Sequence, residues 1–322
     1  MNQPAIELKR LTRYFGSKPV VRDLDFDVPV GKVTALLGLN GAGKTTTIRM
    51  LMGLLSPTRG RAITLGQDAA EMTPQTRSRI GYLVEGHYLY GSMRVSDCQQ
   101  FQRAGNEQWD SRLFDDVVRH FAIDPKSRVS NLSRGQRAGV ALALVLAPGP
   151  ELLVLDDPAL GLDPVSRRAL NETLVQYAGD GERTVLLSTH LLDDVERIAD
   201  RVAVMIGGRL KVDTTMEDFG SRITTYAARS ERLDADQLAA VPGLVEARRL
   251  ADRWQLTLAD EDDESRAALK RLNFVDLEQT ESSFADAVLS YLTRERSDGS
   301  FFTQSLVSMK TQDGNVASGV TR

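Results

Sequence analysis

The segment that most constrains this chain is Gly38-Leu39-Asn40-Gly41-Ala42-Gly43-Lys44-Thr45. It fits Gly-x-x-x-x-Gly-Lys-[Ser/Thr], a loop that wraps nucleotide phosphates. The apolar run at 33–37 predicts a buried strand before it, and Thr46 to Leu55 predicts a helix after it, with Ile48, Leu51, Met52 and Leu55 as the apolar face and Pro57 ending it. Between strand and helix, free amides and the positive end of the helix dipole point at an anion. Gly38, Gly41 and Gly43 let the backbone approach phosphates without a side-chain clash. Lys44 can reach the β/γ-phosphates, and the Thr45 hydroxyl can complete the shell of a Mg²⁺ ion.

A second element supports the first. Leu152-Leu153-Val154-Leu155-Asp156-Asp157 predicts a buried strand ending in two carboxylates. A phosphate-loop ATPase needs such a strand-end Asp to hold Mg²⁺ opposite the loop hydroxyl. Shortly upstream, Asn131-Leu132-Ser133-Arg134-Gly135-Gln136 leads into the apolar helix Val140 to Leu146; alone, this is what any helix N-cap uses. Thr184 to Thr189 predicts another buried strand, which leaves His190 at a carboxyl end, where α/β proteins bind ligands.

The rest of the chain supplies the frame. Residues 5–12 predict a strand, and Leu24, Phe26 and Val28 alternate with Asp23, Asp25 and Asp27 as a half-buried second strand ended by Gly31. Tyr14 and Phe15 lie between these strands and are read either as core or as a base-stacking pair; the residues alone favour core. Ala62 to Leu65 and Ile80 to Val84 predict short strands, and Ser96 with Gln99 a capping box. Leu113, Phe114, Val117, Val118 and Phe121 predict an amphipathic helix, so the stretch of about 90–135 is read as a helical insertion. Val202 to Ile206, Gly207-Gly208 and Leu210 to Val212 predict a hairpin.

Composition excludes several classes. With 322 residues, 42% hydrophobic, the chain can bury a core and suggests two domains. A formal charge of −4 gives no global nucleic-acid footprint, and a single cysteine, Cys98, rules out an intrachain disulfide. The longest apolar run, Val140 to Ala147, falls far short of the roughly 20 residues of a membrane helix. The N-terminal segment lacks a signal-peptide layout, so a soluble protein is expected, with any membrane role through a partner.

Taken in order, these motifs resemble the nucleotide-binding subunit of an ATP-binding cassette (ABC) transporter over residues 4–213, and the likeness is closest to bacterial export-type systems. Leu132–Gln136 stands at its signature motif, Leu152–Asp157 at its Walker B strand, Gly161-Leu162-Asp163 at its D-loop and Ser188-Thr189-His190 at its switch histidine. The resemblance implies a P-loop NTPase fold with a mostly parallel sheet, an N-terminal antiparallel β subdomain and an inserted helical subdomain. It implies ATP and Mg²⁺ as cofactors. Gly38, Leu39, Asn40, Gly41, Ala42, Gly43, Lys44, Thr45 and Thr46 would bind phosphate, Thr45, Asp156 and Glu85 would hold Mg²⁺, and Phe15, with Tyr14 as alternative, would stack on the base. Ser133, Gly135 and Gln136 would meet the γ-phosphate across a dimer of cassettes, His190 would contact it in cis, and Asp163 would signal between sites. Partners implied are membrane-spanning permease subunits and a second cassette, identical or not, with no nucleic acid. The expected location is cytoplasmic, on the inner face of the cell membrane.

Three positions depart from the family pattern. Asp157 stands where a Glu usually polarises the attacking water; its side chain is one carbon, roughly 1.5 Å, shorter. Because a catalytic group misplaced by about 1 Å can cost on the order of 100-fold, slow turnover is expected. Glu85 replaces the usual Gln of the Q-loop, and Arg134 the first Gly of Ser-Gly-Gly-Gln. Two other classes remain open: a soluble ABC-type ATPase acting on ribosomes or DNA, and a slowly hydrolysing, nucleotide-responsive regulatory subunit.

Beyond about residue 220 the resemblance stops. Trp254, Leu256 and Leu258 alternate as a strand, Asp260 to Glu264 is read as a solvated turn before a helix, and Phe284, Val288, Tyr291 and Leu292 share a helix face with Ser282 or Ser283 at its cap. The organisation expected is a cassette at 1–220, a small α/β accessory domain at 221–296 and a disordered tail at 297–322.

Overall fold

The computed structural model describes residues 3–294 apart from 180, 182, 231–236, 239, 251 and 273. The tail expected at 297–322, with its Phe301-Phe302 pair, lies outside the described residues. The chain divides into two compact units, Met1–Met216 and Glu217–Arg322.

In the first unit, β1 (Ile6–Phe15) and β2 (Lys18–Val28) form a long antiparallel hairpin, joined by β4 (Arg59–Thr64) and β5 (Gln67–Asp68) in the order β2-β1-β4-β5. The alternation in β2 buries Leu24, Phe26 and Val28 and leaves Asp23, Asp25 and Asp27 outside. A second sheet has the order β10-β9-β3-β8-β7-β6, from β3 (Val33–Leu37), β6 (Ile80–Leu83), β7 (Leu152–Asp156), β8 (Thr184–Thr189), β9 (Arg201–Ile206) and β10 (Arg209–Thr215). Its neighbours pair in parallel except β9 with β10.

Both faces of this sheet are covered, which is why β7 and β8 read as unbroken apolar runs. Leu152, Val154 and Leu186 join a core with Ile48, Leu51, Leu8 and Phe26, beneath helix α1 (Lys44–Leu51) and the antiparallel sheet. Leu153, Leu155, Val185 and Leu187 face the other way, into a core built from α4 (Ser111–His120), α5 (Arg134–Leu146) and α6 (Pro164–Ala178). Phe114 is fully buried there and packs against Trp109, with ring centroids 5.7 Å apart.

Three local expectations need correction. Tyr14 and Phe15 are the last residues of β1, paired with Pro19 and Lys18, because the hairpin runs to its tip; Phe15 is 49% exposed and so is not core. Helix α1 starts at Lys44 and ends at Leu51, four residues before Leu55. Gly53 takes a φ of +67° directly after it, and the amides of Leu54 and Leu55 turn back onto the Arg49 carbonyl, so Gly53 rather than Pro57 ends the helix. Helix α3 (Val95–Ala104) begins before Ser96, so Asp97, not Gln99, occupies the third position and accepts from the Arg94 amide at 2.9 Å.

The second unit is an antiparallel sheet in the order β12-β13-β11-β14, from β11 (Ile223–Arg229), β12 (Leu244–Leu250), β13 (Arg253–Ala259) and β14 (Val275–Thr280). Leu256 and Leu258 anchor a small core with Leu269, on the helix Asp263–Arg271. Asp262 caps that helix, and Ser283 caps the helix Phe284–Arg294 through the Asp286 amide at 3.0 Å. The acidic run is not wholly solvated. The Glu261 carboxylate accepts from the Tyr226 hydroxyl at 2.7 Å and pairs with Arg266.

Candidate functional site

The adjacent strands β3, β8, β7 and β6 run parallel, so the segments that follow them emerge on one edge of the sheet. Those segments carry the phosphate loop, His190, Asp156 with Asp157, and Glu85. This is the edge at which open α/β sheets bind ligands.

The loop is held by its own backbone. Lys44 folds over it and donates to the Gly38 carbonyl at 2.7 Å and the Leu39 carbonyl at 3.4 Å. The Ala42 amide donates to Leu39 at 3.0 Å. Gly43 sits at φ +107°, and a Cβ there would lie 2.8 Å from both the Val20 carbonyl oxygen and the Met205 methyl carbon, so only glycine fits. A hollow of about 320 Å³ opens beside the loop, lined by Asn40, Gly41, Gly43, Lys44, Thr45 and Thr46 and by Glu85, Asp156 and Asp157.

The Thr45 hydroxyl donates to Asp156 Oδ1 at 3.0 Å, across 111 residues of sequence. The Ser188 hydroxyl donates to the same oxygen at 2.8 Å. Burial pushes the Asp156 carboxyl up, against the Ser188 and Thr45 hydrogen bonds, and Asp157 adds to the rise. Burial also depresses the Lys44 ammonium, against the pull of Asp157, Asp156 and Glu85. Burial, with Asp156 next, pushes the Tyr82 hydroxyl up to about 12.

Asp157 follows the strand at φ +48°, its amide donating to the Ser188 carbonyl at 3.1 Å. Its Oδ2 meets His190 Nδ1 at 2.9 Å, while its buried Oδ1 has no partner among the described residues. An oxygen set of Thr45, Asp156 and Glu85 suits a hard cation, and the unpartnered Asp157 oxygen suits a water or cation beside it. Among the described residues no group of three or more His, Cys, Asp or Glu side chains could hold a metal alone.

The remaining expected residues lie apart from this hollow. Phe15 is outside its lining, with the Arg13 guanidinium 4.8 Å from the ring centre. Ser133 and Gln136 cap α5 reciprocally, each amide bonded to the other side chain at 3.1 Å. Gly135 packs so tightly that a Cβ would lie 1.9 Å from the Ser166 hydroxyl. Asp163 caps α6, accepting from the Val165 and Ser166 amides at 3.0 Å. Three contributors escape sequence reading: Val20 and Leu160, which line the hollow, and Ser188, which orients Asp156. Only the placement of Ser188 one strand over from Asp156 reveals its role.

Fold and site together define an α/β protein of the P-loop nucleotide-binding class. A family model described as ABC transporter matches residues 21–160. The chain is 33% identical over 208 residues to an uncharacterised ABC transporter ATP-binding protein, YhcH of Bacillus subtilis, covering 64% of this chain and 68% of that one. It is 32% identical over 212 residues to another, MJ1023 of Methanocaldococcus jannaschii, with 64% and 76% covered. A solved ATP-binding subunit of an ABC transporter superposes with a TM-score of 0.61 at 29% identity, over 67% of this chain and 92% of that chain. The chain therefore belongs to the ABC transporter family. It is also 35% identical over 215 residues to the human phospholipid-transporting ATPase ABCA3, of which it spans 12%, while 64% of this chain is covered.

Proposed function

We propose that this chain binds and hydrolyses ATP with Mg²⁺ and drives transport through separate membrane-spanning subunits. The observation that carries the reading is the meeting of Thr45 and Asp156 at 3.0 Å beside Lys44, with Asp157 and His190 at the same strand edge. Among the described residues no helix is long and apolar enough to cross a membrane. Export is favoured by the resemblance of the Ile80–Tyr90 stretch to export systems.

The residues divide the chemistry as follows. Lys44 and the loop amides bind and orient the phosphates. Thr45 and Asp156, with Glu85 nearby, hold the cation, which would neutralise charge on the transferring phosphoryl group. Asp157 orients the attacking water, and His190 fixes the Asp157 carboxylate through its 2.9 Å contact. The shorter reach of Asp157 makes turnover slow. Ser133, Gly135 and Gln136 do not line the hollow beside the phosphate loop, which supports a composite site completed by the signature segment of a second cassette, identical or similar.

A tagged pull-down from detergent-solubilised native membranes with ATP, read by mass spectrometry, tests the assignment. Recovery of a multi-span membrane protein is expected. Ribosomal or DNA-bound partners with nothing from the membrane would overturn it.

A further inference from the structure

Outside the hollow, one carboxylate is buried that the proposed chemistry does not use. Helix α7 (Leu192–Ile198) opens two residues after His190 and carries Asp193 and Asp194 in its first turn. A carboxylate there favours the positive end of the helix dipole from solvent, and Asp193 is exposed in that way. Asp194 instead turns inward and is only 7% exposed. Its Oδ1 accepts from Asn171 Nδ2 at 2.8 Å and lies 3.5 Å from Arg167 Nε, while its buried Oδ2 has no partner among the described residues. Taking a carboxylate out of water for one hydrogen bond and one long ion pair costs stability, so helix formation alone does not account for it.

Both partners of Asp194 stand on one face of α6, one turn apart. That helix begins at the Asp163 cap, and the Arg167 amide donates to the Asp163 carbonyl at 3.0 Å. Asp163 is joined to Asp157 by tight turns, in which the Leu160 amide donates to the Asp157 carbonyl and the Leu162 amide to the Ala159 carbonyl, each at 3.1 Å. Asp157 meets His190 at 2.9 Å, and His190 leads back into α7. These contacts form a closed ring that runs from Asp157 through His190, Asp194, α6 and Asp163 back to Asp157. Asp194 closes it with a bond to a residue 23 positions away, and it does not line the hollow beside the phosphate loop.

We propose that Asp194 is a positioning residue of the nucleotide site: it ties the helix behind His190 to the helix capped by Asp163, so that the Asp157–His190 pair and the segment 161–163 hold one geometry. The assignment rests on the ATPase reading above. Without the tie, α7 carries His190 and α6 carries the turn after Asp157, and the two sides of the 2.9 Å contact move separately. The phosphate loop lies between β3 and α1, outside the ring of contacts, so nucleotide affinity survives the loss.

Two measurements test this. Hydrogen exchange of the ligand-free full chain, read by mass spectrometry, should rise in Asp194→Ala by about tenfold at 159–166 and at 189–195 together, with 36–48 unchanged. Exchange that rises on α7 alone, rises throughout the cassette, or does not change would overturn the tie. Steady-state ATP hydrolysis of Asp194→Ala should show kcat lower by about 10- to 100-fold, with KM for ATP within about twofold. Asp194→Asn keeps an acceptor for Asn171 and should recover most of that loss. Asn171→Ala should reproduce the loss, and the double variant should be no slower than Asp194→Ala alone. Equal impairment of Asp194→Ala and Asp194→Asn, a loss confined to KM, additive losses in the double variant, or full activity in Asp194→Ala would refute the positioning role. A wild-type protein that does not turn over ATP would instead defeat the ATPase reading, and the exchange result would still decide the tie.

Discussion

Replacing Asp156 by Asn should stabilise the ligand-free protein while removing its response to Mg²⁺ and ATP. Asp156 is 1% exposed, lies beside Asp157, and has no ion pair among the described residues, since Lys44 turns to the Gly38 carbonyl. An Asn carbonyl can accept the same two hydrogen bonds, from Thr45 at 3.0 Å and Ser188 at 2.8 Å. The substitution therefore deletes a buried charge and leaves its neighbours satisfied. Trading away such functional strain typically gains about 1–2 kcal/mol, or about 2–8 °C in Tm for a unit of this size.

The pH dependence has a definite sign. The carboxyl is raised in the folded state, so its cost to stability is fully present above the folded pKa and fades as pH falls through that value toward 3.8. The advantage of Asn should be largest near neutral pH and shrink on acidification. Thermal melts of both proteins at pH 7.5 and at pH 5, with and without Mg²⁺ and ATP, measure each part. An Asn variant that melts at or below the wild type at pH 7.5, or one whose advantage grows on acidification, would refute the reasoning. So would an undiminished thermal shift with Mg²⁺ and ATP.

Further outcomes follow from the same geometry. Asp157→Asn should lower ATP turnover by about 100-fold or more, and Asp157→Glu should raise it about tenfold by restoring reach; both are read from steady-state phosphate release. Gly43→Ala forces a Cβ to 2.8 Å from the Val20 carbonyl at a φ of +107°, so it should cost about 1–3 kcal/mol and abolish binding of a fluorescent ATP analogue. Phe114→Ala, emptying a fully buried site in the helical core, should cost about 3–5 kcal/mol in denaturant unfolding.

The sequence disclosed what is local. The strand before the Gly38–Thr45 loop and the apolar run at Leu152–Asp156 are set by contiguous residues and formed where expected, and a helix follows the loop, although it ends at Leu51 rather than Leu55. Alternation likewise placed Leu24, Phe26 and Val28 inside and the intervening aspartates outside. What escaped reading depends on partners distant in the chain or on backbone dihedrals that no periodicity carries. Ser188 matters because β8 lies beside β7, which puts its hydroxyl 2.8 Å from a carboxylate 32 residues away. His87 is buried at a left-handed backbone position, whereas its neighbour Tyr88 is 84% exposed, a contrast that no periodicity announces. The α3 cap shifted because the helix begins one residue before Ser96, a difference that Ser96, Asp97 and Gln99 alone leave undecided.

The central claim is most directly tested by phosphate release from purified protein with ATP, with Mg²⁺ present or chelated, and with Lys44→Ala as the control. The account predicts saturable, Mg²⁺-dependent release that is slow, vanishes in Lys44→Ala, and rises more than linearly with protein concentration as cassettes pair. Release that is independent of Mg²⁺ or undiminished in Lys44→Ala, or its complete absence from the wild-type chain at every protein concentration, would contradict it.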